Sequence, residues 1–61
     1  MIKCYYESGI LQWEIPIKNN KENGIEKQYY ENGKIKREII YTNGVEGIVK
    51  NFDENGNEIK Q

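Results

Sequence analysis

Residues 29–44 read YYENGKIKREIIYTNG, in which short runs of aromatic and β-branched residues are each followed by Asn-Gly. An Asn-Gly pair between such runs is the strongest short-range signal for a two-residue β-hairpin turn, because both central positions of that turn need positive φ. The stretch therefore predicts hairpin turns at Asn32-Gly33 and Asn43-Gly44, with strands on either side of each.

The opening of this stretch recurs at both ends of the chain. Residues 5–9 read YYESG and residues 52–56 read FDENG. Recurrence at nearly constant spacing indicates a repeat protein. We divide the single domain, residues 1–61, into units 5–28 and 29–51 and a half unit 52–61. By analogy, further turns are predicted at Ser8-Gly9 and Asn55-Gly56.

The composition favours strands over helices. The chain has ten Ile and five Tyr but one Leu and no Ala, and eight Asn and six Gly interrupt every stretch long enough for a stable helix. We predict an all-β fold, an antiparallel β-hairpin meander in a single elongated, twisted sheet, with residues 18–24 forming a longer polar connection. The six predicted strands are Ile2 to Glu7, Ile10 to Ile17, Ile25 to Glu31, Lys34 to Tyr41, Gly47 to Phe52 and Asn57 to Lys60.

Two-residue turns also fix which residues face each other across neighbouring strands. A turn at Asn32-Gly33 places Glu31 opposite Lys34, two residues of opposite charge. The other predicted pairs are Lys27 with Glu38, Tyr30 with Ile35, Glu26 with Ile39, Lys3 with Glu14, Cys4 with Trp13, Ile2 with Ile15, Tyr6 with Leu11, Ile39 with Ile48, Ile35 with Phe52 and, less favourably, Arg37 with Lys50.

Charge and residue types exclude several classes of function. Nine Lys and Arg against ten Asp and Glu leave a net charge of −1 with the signs interspersed, so nucleic acid is not an expected partner and a membrane is unfavoured. The chain has no His, and no nucleophile, base and stabiliser can be assembled, so we expect no enzyme activity, cofactor or metal. A single cysteine and no long apolar stretch predict a cytoplasmic protein.

One strand has a wholly apolar face that a single sheet cannot bury. In residues 10–17 every second residue is apolar, and the preceding strand extends this face. Large apolar patches are seldom left in water, so we predict that a second copy of the chain covers the face in a homodimer. Cys4 is assigned a packing role there. The predicted interface residues are Ile2, Cys4, Tyr6, Leu11, Trp13, Ile15 and Ile17.

The stretch YYENGKIKREIIYTNGVEG, residues 29–47, resembles the bacterial variant of the MORN repeat, with looser similarity over residues 5–24 and 52–60. Ser8, Trp13, Pro16, Asn23 and Asp53 depart from the family pattern. The resemblance implies stacked antiparallel hairpins. Proteins with this variant are often catalogued as antitoxins, which implies a toxin-like protein partner, and MORN repeats also accompany phosphatidylinositol phosphate kinases.

Three functions therefore stand as hypotheses. The first is a non-catalytic protein-interaction module, antitoxin-like in the sense of the family. The second is a self-assembling structural repeat protein whose only partner is another copy. The third is a phospholipid-headgroup binder, which the kinase association suggests and the absence of a basic cluster disfavours.

Overall fold

The computed structural model describes residues 1–60 and places eight strands in them. Six of them form one antiparallel sheet in the order β1-β2-β5-β6-β7-β8, and β3 and β4 form a separate two-stranded ribbon. The strands are β1 (Ile2–Tyr5), β2 (Leu11–Ile15), β3 (Ile17–Lys18), β4 (Lys21–Glu22), β5 (Gly24–Tyr29), β6 (Ile35–Thr42), β7 (Val45–Phe52) and β8 (Glu58–Ile59).

The predicted all-β meander is confirmed, because every strand of the six-stranded sheet pairs with the next strand of that sheet along the chain. The prediction of one elongated sheet is wrong in two respects. The connection at residues 18–24 is a hairpin of its own, and the Cα atoms extend 34 × 31 × 10 Å, so the molecule is as broad as it is long.

The β3–β4 ribbon, which was not predicted, has two consecutive asparagines at its turn. Asn19 and Asn20 have φ of 53° and 65°, the left-handed conformation that asparagine tolerates best after glycine. They join β3 to β4 by a two-residue turn, with Lys18 opposite Lys21. Pro16, which has no N–H to donate, separates β2 from β3 and sends the ribbon out of the main sheet. The signal was present in the sequence as two adjacent Asn residues.

Only one of the predicted Asn-Gly turns has two residues at positive φ. Asn43 and Gly44 have φ of 48° and 84° and join Thr42 directly to Val45, which confirms the two-residue turn there. At Asn32-Gly33 only the glycine has positive φ, and the Tyr30 N–H donates to the Lys34 carbonyl at 2.8 Å. That loop therefore has three residues, a tight turn followed by a glycine bulge.

The same three-residue loop occurs at the other two repeats, where the Tyr6 N–H donates to the Ile10 carbonyl and the Asp53 N–H donates to the Asn57 carbonyl. As a result the predicted pairs next to the turns are wrong. Tyr30 lies opposite Lys34, while the pairs Tyr29 with Ile35 and Tyr5 with Leu11 replace those predicted for Tyr30 and Tyr6.

A bulge further along each hairpin restores the predicted register. The pairing shifts by one residue between Gln28 and Tyr29, and again between Cys4 and Tyr5. Beyond the bulges the predicted pairs are confirmed. These are Lys27 with Glu38, Glu26 with Ile39, Lys3 with Glu14, Cys4 with Trp13 and Ile2 with Ile15.

Between β6 and β7 a bulge of the same sense follows a two-residue turn, so it moves the register away from the prediction. Ile39 lies opposite Val49 and not Ile48, and Arg37 lies opposite Asn51 and not Lys50. The predicted pair of Ile35 with Phe52 is excluded by the same shift. Because the bulge moves Lys50 away from Arg37, the unfavourable contact between these like charges is removed. Arg37 Nε donates to Asn51 Oδ1 at 2.8 Å instead.

The fold has almost no interior. Within residues 1–60, Ile39 at 5% exposure is the only buried hydrophobic residue, and Glu26, directly opposite it, is the only buried charged one. Both residues lie on the two central strands of the curled sheet, β5 and β6, where strands on either side help to cover them. No helix in the described chain is both long and apolar enough to cross a membrane.

Candidate interaction surface

The curl gives the sheet two unlike faces. We call the side of Glu26 and Ile39 the inner face and the opposite side the outer face. Strand alternation and the observed register assign each residue to one of them. The inner face contains Ile2, Cys4, Trp13, Ile15, Glu26, Gln28, Arg37, Ile39, Val49 and Asn51.

The outer face carries a row of charges that alternate in sign across five strands. Each member lies directly opposite the next, so every charge has neighbours of the opposite sign. The row is Lys3, Glu14, Lys27, Glu38 and Lys50. Facing charges of opposite sign are favourable neighbours, so this row is explained within the sheet itself.

The inner face is apolar over β1 and β2, where the sequence predicts an interface. Ile2 pairs with Ile15 and Cys4 pairs with Trp13, so these four residues form one contiguous patch. Trp13 is half-buried and Ile2 is 51% exposed. Cys4 is a free thiol, half-buried, with its Sγ 3.8 Å from Gln12 Oε1.

The structure does not bring the other three predicted interface residues into the same patch. Tyr6 is not opposite Leu11, because the bulge pairs Leu11 with Tyr5. The Tyr6 hydroxyl instead donates to the Tyr29 carbonyl at 2.8 Å. Ile17 belongs to the β3–β4 ribbon, outside the main sheet.

The centre of the inner face is polar. Gln28 Nε2 donates to the buried carboxylate of Glu26 at 2.7 Å, which satisfies part of its hydrogen-bonding capacity. Burial, with the negative charge of Glu26 as the next cause, raises the pKa of the Tyr41 phenol. On the outer face, burial also raises the pKa of Tyr29, whose hydroxyl donates to Glu14 Oε1 at 3.0 Å.

The C-terminal part of this side is cationic. A shallow cavity of about 330 Å³ is lined by Lys36 and Arg37 together with Tyr30, Asn51, Phe52 and Ile59. The Lys36 ammonium lies 5.8 Å from the centre of the Tyr30 ring, close enough for a cation–π contact. The inner face thus changes from apolar at β1 to basic at β6.

Two tyrosines join consecutive repeats at the turn end of the sheet. The Tyr30 hydroxyl donates to the Phe52 carbonyl at 2.7 Å, as Tyr6 does to Tyr29 one repeat earlier. In the third repeat Asp53 replaces this tyrosine. Its carboxylate accepts hydrogen bonds from the N–H groups of Asn55 and Asn57, and the bond from Asn57 is the main cause that lowers the pKa of Asp53.

The edge of β7 that faces away from β6 was not predicted as exposed apolar surface. Only Asn51 and Phe52 of this strand pair with β8, so the edge from Val45 to Lys50 has no partner strand within residues 1–60. Val45 and Ile48 are 67% and 64% exposed. Apolar surface is therefore present in the C-terminal half as well. The run of two valines and an isoleucine over residues 45–49 was the available signal.

The described residues contain no cluster of three or more His, Cys, Asp or Glu side chains suited to a metal ion. Comparison with known proteins gives one match. The family model described as MORN repeat variant matches residues 22–43 and 45–57, which is more than half of the chain. No curated protein and no solved structure is significantly similar.

Proposed function

Because this chain belongs to the MORN repeat variant family, we propose that it is a non-catalytic interaction module whose inner face binds another protein. The observation that carries the proposal is the lack of an interior: one hydrophobic residue, Ile39, is buried within residues 1–60, while the aromatic and aliphatic side chains around it stay partly exposed. Apolar surface held rigidly on a hydrogen-bonded sheet is suited to binding without further folding.

The exposed area supports this reading. A compact monomer of 7.2 kDa is expected to expose about 4100 Å². The chain exposes 4579 Å². The excess, of order 450 Å², means that the chain is less compact than a typical monomer of its size. Partner contact over β1 and β2 would cover the apolar part of the inner face, and Trp13 has the size and position of an interface anchor.

The experiment is affinity capture from the native cell with matched variants. Trp13→Glu places a charge at the centre of the patch, whereas Ile25→Glu places the same charge on the outer face, at a residue that is 44% exposed. We expect wild type and Ile25→Glu to recover the same protein partner in stoichiometric amounts, and Trp13→Glu to lose it. Equal recovery by both folded variants would show that the inner face is not the binding surface.

Within this function, the antitoxin-like role predicted from the family is a narrower proposal, in which the partner is a toxin. Its test is co-expression. If the captured partner stops cell growth when expressed alone, wild-type chain should restore growth and Trp13→Glu should not. A harmless partner, or restoration by both forms, would contradict the antitoxin role while leaving the interaction module in place.

A second candidate, self-association, is favoured by the unpaired edge of β7 and by the same apolar patch. In a homodimer a second copy covers the inner face, and edge pairing would extend the sheet. Sedimentation of the purified chain at micromolar concentration tests it. We expect a dimer that Trp13→Glu dissociates. A folded monomer at all concentrations would exclude this candidate and leave a different protein as the partner.

A further inference from the structure

The chain contains four Asn-Gly pairs, at residues 23–24, 32–33, 43–44 and 55–56. Asparagine is a thermolabile residue, and a following glycine has no Cβ to hinder attack by its nitrogen. In that reaction the glycine nitrogen bonds to Cγ of the asparagine, the Cγ–Nδ2 bond breaks, and the displaced amide takes up the glycine proton and leaves as ammonia. Water then opens the cyclic imide to give aspartate or isoaspartate.

The side chain of Asn32 is held at both ends. Its Oδ1 accepts from the Lys34 N–H at 2.8 Å, and its Nδ2 donates to the Glu54 carbonyl at 2.9 Å. The nucleophile is held as well, because the Gly33 N–H donates to the Tyr30 carbonyl at 2.9 Å. All three hydrogen bonds must break before Cγ can reach the glycine nitrogen, so this pair is protected in the folded chain.

The pairs at 23–24 and 43–44 are held against each other. The Asn43 N–H donates to Asn23 Oδ1 at 3.2 Å, which engages the side chain of Asn23. The Gly44 N–H donates to the Glu22 carbonyl at 2.8 Å, so the nucleophile of the second pair is held by the β3–β4 ribbon. Freeing either group requires the ribbon to separate from the Asn43-Gly44 turn.

Asn55 is the least restrained of the four. It is exposed, and within residues 1–60 its side-chain amide makes no hydrogen bond. The Gly56 N–H donates to the Asp53 carbonyl of the same turn at 3.0 Å. The strand that closes this hairpin, β8, has two residues and lies at the edge of the sheet, so local opening costs less there than at a central strand. We infer that Asn55 is a site of spontaneous deamidation in the folded protein.

The modification changes the third turn. Both products replace a neutral amide by a carboxylate beside Asp53 and Glu54, which takes the net charge of the chain from −1 to −2. Isoaspartate also adds a methylene to the main chain, inside the loop that the Asp53 N–H closes on the Asn57 carbonyl at 2.9 Å. The pairing of β7 with β8 should therefore weaken in the isoaspartate form.

The test compares the folded chain with the same chain in concentrated urea, both incubated in mildly alkaline buffer and then digested with trypsin. Cleavage after Lys and Arg places the four asparagines in four different peptides, so mass spectrometry follows the loss of each amide separately. In urea all four should react at similar rates, since each precedes glycine. In the folded chain Asn55 should react first. Asn32 should react on the order of thirtyfold more slowly than in urea, because its two side-chain hydrogen bonds must open.

Matched variants confirm the position. Ion exchange should show an early acidic form in wild type that Asn55→Gln abolishes. The control is Asn57→Gln, the same substitution in the same peptide at an asparagine that precedes glutamate, and it should leave the rate of this change unaltered. The inference is overturned if Asn23 or Asn32 reacts as fast as Asn55 in the folded chain, or if the early acidic form persists in Asn55→Gln.

Discussion

Gly24 should be the least replaceable glycine in the chain, because two independent constraints meet there. Its φ is +120°, a conformation that L side chains rarely adopt, and a Cβ built at this position would lie 2.9 Å from Pro16 Cγ. Gly33 provides the matched control. Its φ is +89°, yet a Cβ there would have no heavy atom within 4 Å.

The magnitudes follow from these two terms. Alanine at positive φ costs roughly 1–2 kcal/mol, partly offset by about 0.4–1 kcal/mol because it restricts the unfolded chain. Gly33→Ala should therefore destabilise the protein by about 1 kcal/mol. Gly24→Ala carries the same cost plus overpacking against a rigid proline ring, about 1–3 kcal/mol. We expect its total to be about 2–4 kcal/mol.

The assay is urea unfolding followed by the fluorescence of the single tryptophan, with a double-mutant cycle between Gly24→Ala and Pro16→Ala. Removing Cγ of Pro16 abolishes the clash but leaves the backbone strain, so the two substitutions should couple favourably by about 1–2 kcal/mol. If Gly24→Ala alone is unfolded, the double variant should recover a cooperative transition. Equal costs for Gly24→Ala and Gly33→Ala, with no coupling to Pro16, would refute the close approach of Pro16 to Gly24.

Three further outcomes are expected. Tyr30→Phe should lower the free energy of unfolding by about 1 kcal/mol, since it removes the hydroxyl that bonds the Phe52 carbonyl, and a value near zero in urea unfolding would contradict that bond. Asp53 has a lowered pKa in the folded state, so its stabilisation is present above the unfolded value of about 3.9 and is lost as pH falls through the folded value. The stability difference between wild type and Asp53→Ala should therefore shrink on acidification, and a constant difference in acid unfolding curves would exclude this role. Tyr29 and Tyr41 have raised pKa values in the folded state, so the unfolded chain releases their protons at a lower pH. The free energy of unfolding should therefore fall as pH rises above about 10. Alkaline unfolding curves should show a less steep fall in Tyr41→Phe than in wild type.

The sequence predicts the strands well because each one is short, β-branched and ended by a turn signal. It predicts the turn type poorly. Asn-Gly is compatible both with a two-residue turn and with the last two positions of a three-residue loop, and the choice depends on how the neighbouring strands twist. Asn43-Gly44 takes the first form and Asn32-Gly33 the second.

The predicted pairs far from the Asn32-Gly33 turn are correct although the predicted turn type is wrong. A three-residue loop shifts the pairing by one position, and the bulge between Gln28 and Tyr29 shifts it back, so Lys27 meets Glu38 under either description. Cross-strand charge complementarity therefore cannot reveal the loop or the bulge. Between β6 and β7 no second shift compensates, and there the predicted contact of Arg37 with Lys50 was itself the sign of an error.

The two faces differ in how much a sequence pattern can say about them. The outer row is readable in part, because the pairs Lys3 with Glu14 and Lys27 with Glu38 need only the register of a single hairpin. The inner face depends on curvature and on strand order. Glu26 lies on the central strand β5 and is 8% exposed, whereas Ile2 lies on the edge strand β1 and is 51% exposed. Curvature arises from several bulges acting together. The apolar patch is therefore confined to Ile2, Cys4, Trp13 and Ile15, and the cationic end at Arg37 requires a partner surface of mixed character rather than a purely apolar one.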